Sequence, residues 1–436
     1  MFTINHSEEL SVELLHKMFS KFQTSVAPRL LKYKNYYDGA QAILSKCYSD
    51  ESKPCNHTVT NYCKNITDAY CGYIASPGYI SYHSDTDIED IMNVLRYNDS
   101  QAEDSYLLLD ALIYGVGAEL MYIDNESKTR FRTISPQQCF GIFDDCLTND
   151  LLYFVRFYPQ SQWSDTNTYN VDVYSDTEIK HYTMTGMGGA LTLTGVERHY
   201  FNQCPANIFY MPDEKSIFDC IMSLQDSYNE LLTSEIDDYS AFVDAFLTLT
   251  GVDAETDDIA QMKENRVLVL PEGAQADWLT KNANDAQVEN ILKRLHDSIY
   301  RIAQCPDFSN DVFNSAQSGI AIRFKLTNME CRASKIVALM KKALQRRIEI
   351  ICGIASLKLG EEVYRDIDIV FKRNIPNDDN VIIQTVNSLR GLVSDETLLS
   401  MVPQVENPLE EIEKVKKQRE TQMSLYNFGD GGGDEQ

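Results

Sequence analysis

The sequence has no cysteines spaced C-x-x-C, and its eleven cysteines are an odd number. Both facts argue against a disulfide framework or a zinc ribbon. With no signal peptide in front of them, they point to a reducing compartment, the cytoplasm. Cys47, Cys55, Cys63 and Cys71 recur every eight residues, a spacing that suits no metal. The seven histidines lie at 6, 16, 57, 83, 181, 199 and 296, so H-E-x-x-H and other close pairs are missing. There is no G-x-S-x-G elbow and no Walker A loop. No cofactor is expected.

Long apolar runs are missing too. Residues 106–123 come nearest, but Asp110, Gly115, Gly117 and Glu119 interrupt them, so they are not a membrane span. Base is scarce: 39 Lys and Arg face 65 Asp and Glu, a net charge of -26. That excludes a protein gripping nucleic acid over its whole surface, although local basic patches remain possible. The sequons at Asn56, Asn65 and Asn125 mean little without secretion.

What the chain does have is length enough for two to four packing units and one unusual helix. Residues 216–251, SIFDCIMSLQDSYNELLTSEIDDYSAFVDAFLTLTG, carry Asp219, Asp226, Glu230, Glu235, Asp237, Asp238 and Asp244 and no base. Apolar residues follow the 3.6 period from Ile217 to Phe246, and Gly251 is the expected stop. An unbroken helix of this length would be a strut of roughly 50 Å. Its acids read either as a solvated face or as a charged wall.

The region before the strut mixes helices and strands. Residues 11–22 are amphipathic, Thr86 and Glu89 form a capping box, and a buried helix over 102–114 stops at Gly115. Strands follow at 119–123, 151–157, 170–174, 179–184 and 190–194. The glycines of Gly186-Met187-Gly188-Gly189 lead into a strand and not a helix, which suits a hairpin better than a phosphate cradle. Asp85 and Asp87 could hold a divalent cation, but the same acids also explain themselves as a helix start.

Behind the strut, strands at 266–270 and 276–280 flank Pro271-Glu272-Gly273, and a second helix spans 285–304. The polar stretch 306–319, PDFSNDVFNSAQSG, is too short to fold alone. A long helix over 320–359 then reverses the charge, with nine bases against Glu330 and Glu349. A strand over 366–372 follows, then helices introduced by Asn407-Pro408. The tail from 429 reads as disordered.

The order of these pieces resembles the bacteriophage portal proteins of the SPP1-like family. The carrying segments are YYDGAQAIL at 36–44, NYCKNITDAYCGYIASPGYISY at 61–82, YGVGAELMYID at 114–124 and SPQQCFGIFDD from Ser135. SLQDSYNELLTSEIDDYSAFVDAFLTLTG from Ser223 and CPDFSNDVFNSAQSGIAIRFKL from Cys305 complete them. The resemblance implies an α+β, predominantly helical portal fold assembled as a cyclic ring, a homododecamer, around a central channel. It implies a wing over 1–215, stem helices over 216–250 and 284–305, and a clip over 251–283. A tunnel loop over 306–318, a long wing helix and strand over 319–376, and a crown and tail over 377–436 complete the layout.

The implied role is the virion's portal vertex, through which double-stranded DNA is packaged and ejected. Assembly would occur in the bacterial cytoplasm, with no membrane. The implied partners are the large terminase subunit, which supplies the energy, a head-completion adaptor, and the major capsid and scaffolding proteins. Channel candidates are Asp307, Phe308, Asp311, Phe313 and Gln317 in the loop, with Asp226, Glu230, Glu235, Asp237, Asp238 and Asp244 in the stem. Glu272, Gly273 and Trp278 are docking candidates on the clip. Lys341, Lys342, Arg346 and Arg347 are candidates for pairing between subunits. The alternatives are another phage head scaffold or adaptor protein, or a metal-dependent transferase using Asp85 and Asp87. An acidic bore has a physical rationale, since it repels DNA from the wall where a ring of bases would hold it.

Overall fold

The computed structural model describes residues 2–6, 8–48, 54–161, 163, 167–242, 246–250, 275–279, 285–308, 319–354, 363–373, 386–402, 405, 408, 411–412 and 414–419. The fold is α+β. By its packing the chain divides into two units, 1–306 with 328–374, and 307–327 with 375–436.

Strand β1 (Phe2–Ile4) opens the first unit. Helix α1 (Val12–Lys21) follows, capped by the Ser11 hydroxyl, which accepts from Leu14 N–H at 3.2 Å. A π-turn at Phe22–Val26 leads into α2 (Ala27–Asp38), and α3 (Tyr62–Ile74) comes next. After β2 (Ile80–His83), helix α4 (Glu89–Tyr97) starts three residues beyond Thr86. The expected capping box does not form. The Asp87 carboxylate accepts from Glu89 N–H at 3.0 Å, so a tighter local turn takes the helix start from Thr86.

Helix α5 (Ser100–Tyr114) runs into β3 (Val116–Ile123) and β4 (Thr129–Thr133). Gly115 makes that turn with φ +79, and a Cβ there would lie 2.6 Å from the Glu214 backbone. Strands β5 (Cys139–Asp144), β6 (Leu151–Pro159), β7 (Thr168–Tyr174), β8 (Glu178–Thr185) and β9 (Leu191–Arg198) form an antiparallel meander. β1 adds to β5 in parallel, giving the sheet order β1-β5-β6-β7-β8-β9. The 186–189 glycines do form the β8–β9 hairpin, with Gly186 and Gly188 at positive φ.

β10 (Ala206–Tyr210) joins a second sheet of order β10-β3-β4. Between the sheets Leu120, Cys139, Phe154, Tyr174 and Ala206 form a core. Phe19 and Phe22, each 1% exposed or less, set their rings 5.2–5.5 Å from those of Phe140 and Phe157 and fasten α1 to the large sheet.

The strut is shorter than its pattern suggests. It is helical as α6 (Met222–Phe242), and Phe246–Thr250 is strand β11, paired antiparallel with β12 (Gln275–Leu279). FLTLT alternates apolar and β-branched residues, and a partner strand outweighs helical period there. The 266–270 strand and the 271–273 turn lie outside the described residues.

Helix α7 (Asp285–Ala303) returns antiparallel to α6, since Arg332 donates both to the last carbonyl of α7, Ala303 O, and to Ile217 O just ahead of α6. The long basic helix is α8 (Gly319–Cys352), and β13 (Asp368–Phe371) pairs with β2. In the second unit, α9 (Asp395–Ser400) is capped by Ser394, whose hydroxyl accepts from Thr397 N–H at 3.3 Å. Among the described residues no helix is long and apolar enough to cross a membrane.

Candidate functional site: the acidic helix and its basic counterpart

Buried residues Gln225, Asn229, Thr233 and Asp237 recur every four along α6, and this polar face is covered by the chain's own N-terminal segment. Tyr36 donates its hydroxyl to Asp226 at 2.7 Å, and Lys46 pairs with Glu230 at 2.9 Å. Just ahead of α6, Tyr33 donates to Asp219 at 2.8 Å. Asp237 accepts from Asn56 N–H (2.7 Å), Asn56 Nδ2 (2.8 Å) and Tyr48 Oη (3.0 Å). Burial opposes the charge on Asp237, but the Asn56 and Tyr48 donors outweigh it and hold the carboxyl below its ordinary pKa. Burial and the Asp226 carboxylate together push the Tyr36 hydroxyl up, so it stays a donor.

Half of the acidic face is therefore a set of acceptors for residues 33–60 of the same chain. Glu235 is half-buried and Asp238 exposed near the far end of α6, and Asp244 lies outside the described residues. The signal missed in the sequence was the tyrosines: Tyr33, Tyr36 and Tyr48 bring hydroxyls to Asp219, Asp226 and Asp237, acids about two and three helical turns apart. The Tyr62 ring bridges α6 and α7, 5.2 Å from Tyr228 and 5.6 and 5.8 Å from His296 and Tyr300.

The basic helix divides in a similar way. Arg347 is fully buried, with Nε 3.0 Å from both Glu119 carboxylate oxygens and Nη1 bonded to Asp104. Its guanidinium also stacks 4.4 Å from the Phe131 ring centre. Asn207 Nδ2 bridges Glu119 (2.9 Å) to the Ala343 carbonyl (2.8 Å). One cation thus ties α8 to α5 and β3, and its charge is spent inside its own chain. Arg347 therefore leaves the set available for contacts between subunits. Burial lifts the Asp104 pKa to about 6 against the pull of Arg347.

The other three bases lie nearer solvent. Lys341 reaches Asp368 at 2.5 Å, Arg346 reaches Glu349 at 2.7 Å, and Lys342 is exposed. Arg332, which the sequence pattern did not single out, donates to the Ala303 carbonyl at 2.8 Å and to Ile217 O at 2.6 Å. It fixes α8 against the last turn of α7 and the approach to α6.

Pro306, Asp307 and Phe308 are the described part of the proposed loop, with Phe308 44% exposed. Asp311, Phe313 and Gln317 lie outside the described residues, as do Glu272 and Gly273. Trp278 is placed only by its backbone, opposite Leu247 in the β11–β12 pair. Asp85 and Asp87 are exposed, and the described residues that gather metal-type ligands are Asp144, Asp145 and Cys146 instead.

Compared with known proteins, residues 19–425 match the family described as phage portal protein, SPP1 Gp6-like. The portal protein of Bacillus phage SPP1 is 21% identical over 446 aligned residues, covering 93% of this chain and 84% of that protein.

Proposed function

The chain belongs to the SPP1 Gp6-like family of phage portal proteins, and on that premise we propose that its copies close into a twelve-membered ring around a channel for double-stranded DNA. The family is a structural component of the phage head and not an enzyme family. The observation that carries the reading is the extent of the match, which runs from the last turn of α1 past α9.

In this reading residues 1–215 form the wing, α6 and α7 the stem, 251–283 the clip and 306–318 the tunnel loop. Residues 319–376 complete the wing, and 377–436 make the crown and tail. The ring sits at one capsid vertex of the virion, assembled in the host cytoplasm among capsid and scaffolding proteins. It receives the terminase and later the head-completion adaptor at the clip, around Glu272, Gly273 and Trp278. We assign the DNA-facing acid of the stem to Asp238 and Asp244, and Glu235 to contact between copies. Asp307, Phe308, Asp311, Phe313 and Gln317 contribute the constriction. Lys342, with Lys341 and Arg346, provides base for contact between subunits.

Light scattering with negative-stain imaging tests this. A particle near twelve chain masses with a central hole is expected. A chain that stays monomeric at every concentration overturns it.

A further inference from the structure

We propose that α7 of one copy packs against α6 of the next through a second apolar seam on α7. The proposal rests on the ring reading above and names the surfaces that close the ring. Along α7, Leu292, His296, Ile299 and Ala303 form one seam turned into the chain's own core, with Ile299 and Ala303 fully buried. Beside it Val288, Ile291, Leu295, Ser298 and Ile302 alternate spacings of three and four residues, the pattern that receives another helix. In this seam Ile291 and Ile302 are 41% and 45% exposed. One apolar residue on a surface needs no explanation, but a whole seam at this spacing leaves a helix without its partner.

Charge identifies the partner. Arg294 borders the open seam, on the side of α7 away from the seam its own chain covers, and has no acid partner among the described residues. On α6, Glu235 has no cationic partner among the described residues. Glu235, Ile236 and Tyr239 line an open depression, and Tyr239 is 71% exposed. An acid beside apolar side chains on α6 thus complements a base beside apolar side chains on α7.

Height supports the same pairing. The Tyr62 ring touches Tyr228 on α6 and both His296 and Tyr300 on α7, which sets those residues level. Equal steps of about 1.5 Å along the two antiparallel helices then bring Ile291 level with Glu235 and Ile236, with Arg294 one turn away. A cyclic operator is a rotation and leaves height along the axis unchanged, so stem helices lying along that axis keep this register between copies. Ile291 of one copy then meets Ile236 and Tyr239 of the next, and Arg294 reaches Glu235.

Full-length protein decides it, by mass photometry across a concentration series with circular dichroism to confirm folding. Ile291→Asp with Ile302→Asp should leave a folded chain of low mass. Arg294→Glu, at an exposed position, should raise the concentration for half-assembly about tenfold or more, and adding Glu235→Arg should restore it. Rings that survive both the aspartate pair and Arg294→Glu unchanged, or no rescue by Glu235→Arg, overturn this interface and leave the ring reading standing. A wild-type chain that never assembles overturns both.

Discussion

Replacing Arg347 by Met should be among the most damaging single changes in the chain. The side chain is fully buried between Glu119 and Asp104, and methionine nearly matches its shape without its charge. Breaking one partner of such a cluster leaves two carboxylates in a dry interior with no cation, a loss of about 3–5 kcal/mol. Asn207 cannot compensate, because its amide already serves Glu119 and the Ala343 carbonyl.

The loss should depend on pH, with a definite sign. Burial raises Asp104 to about 6 even with Arg347 beside it, so above that pH the folded chain bears the cost of an ionised buried acid. Without Arg347 the carboxyl binds its proton still more tightly in the folded state. The deficit of the variant should therefore be smaller near pH 5 and grow toward pH 8, by up to about 1.4 kcal/mol for each pH unit above about 6 over which the folded variant keeps a proton that the folded wild type has lost. Urea unfolding followed by fluorescence at both pH values measures it. Arg347→Lys keeps the charge and should lose less. A Met variant within about 0.5 kcal/mol of wild type at pH 8 refutes the reasoning.

Gly115→Ala should lose more than the usual 1–2 kcal/mol of a left-handed residue, since its Cβ would meet the Glu214 backbone at 2.6 Å; a neutral effect on the unfolding midpoint contradicts that contact. Asp237→Ala removes the acceptor of three donors and should cost about 1–3 kcal/mol at pH 7. Because the Asp237 pKa is lowered on folding, its contribution is present above the ordinary carboxylate pKa and fades as pH falls through the folded value. The gap from wild type should narrow on acidification, which pH-resolved unfolding reads directly. Asp307→Lys with Asp311→Lys should leave rings intact but slow DNA packaging, most at low salt; packaging at the normal rate places the loop away from DNA.

The charge pattern, the absent catalytic motifs and the helical periods of α1, α5, α7 and α8 are local properties, so the sequence alone determined them. The β8–β9 hairpin was legible for the same reason, because glycine at 186 and 188 meets a backbone need within a few residues. The order of segments was legible as well, and it carried the family. Tertiary structure decided whatever depends on distant partners. Phe246–Thr250 kept helical spacing in the sequence yet became β11, because Gln275–Leu279 supplies a ladder that no local pattern reveals. Asp226, Glu230 and Asp237 read as one charged face until residues 36–56 supplied their donors. Arg347 looked like its neighbours Lys342 and Arg346, since a single step of about 100° around the helix separates surface from core. Only the packing of α8 against α5 and β3 turned that guanidinium toward Asp104 and Glu119, where a charge must be paired to be buried at all.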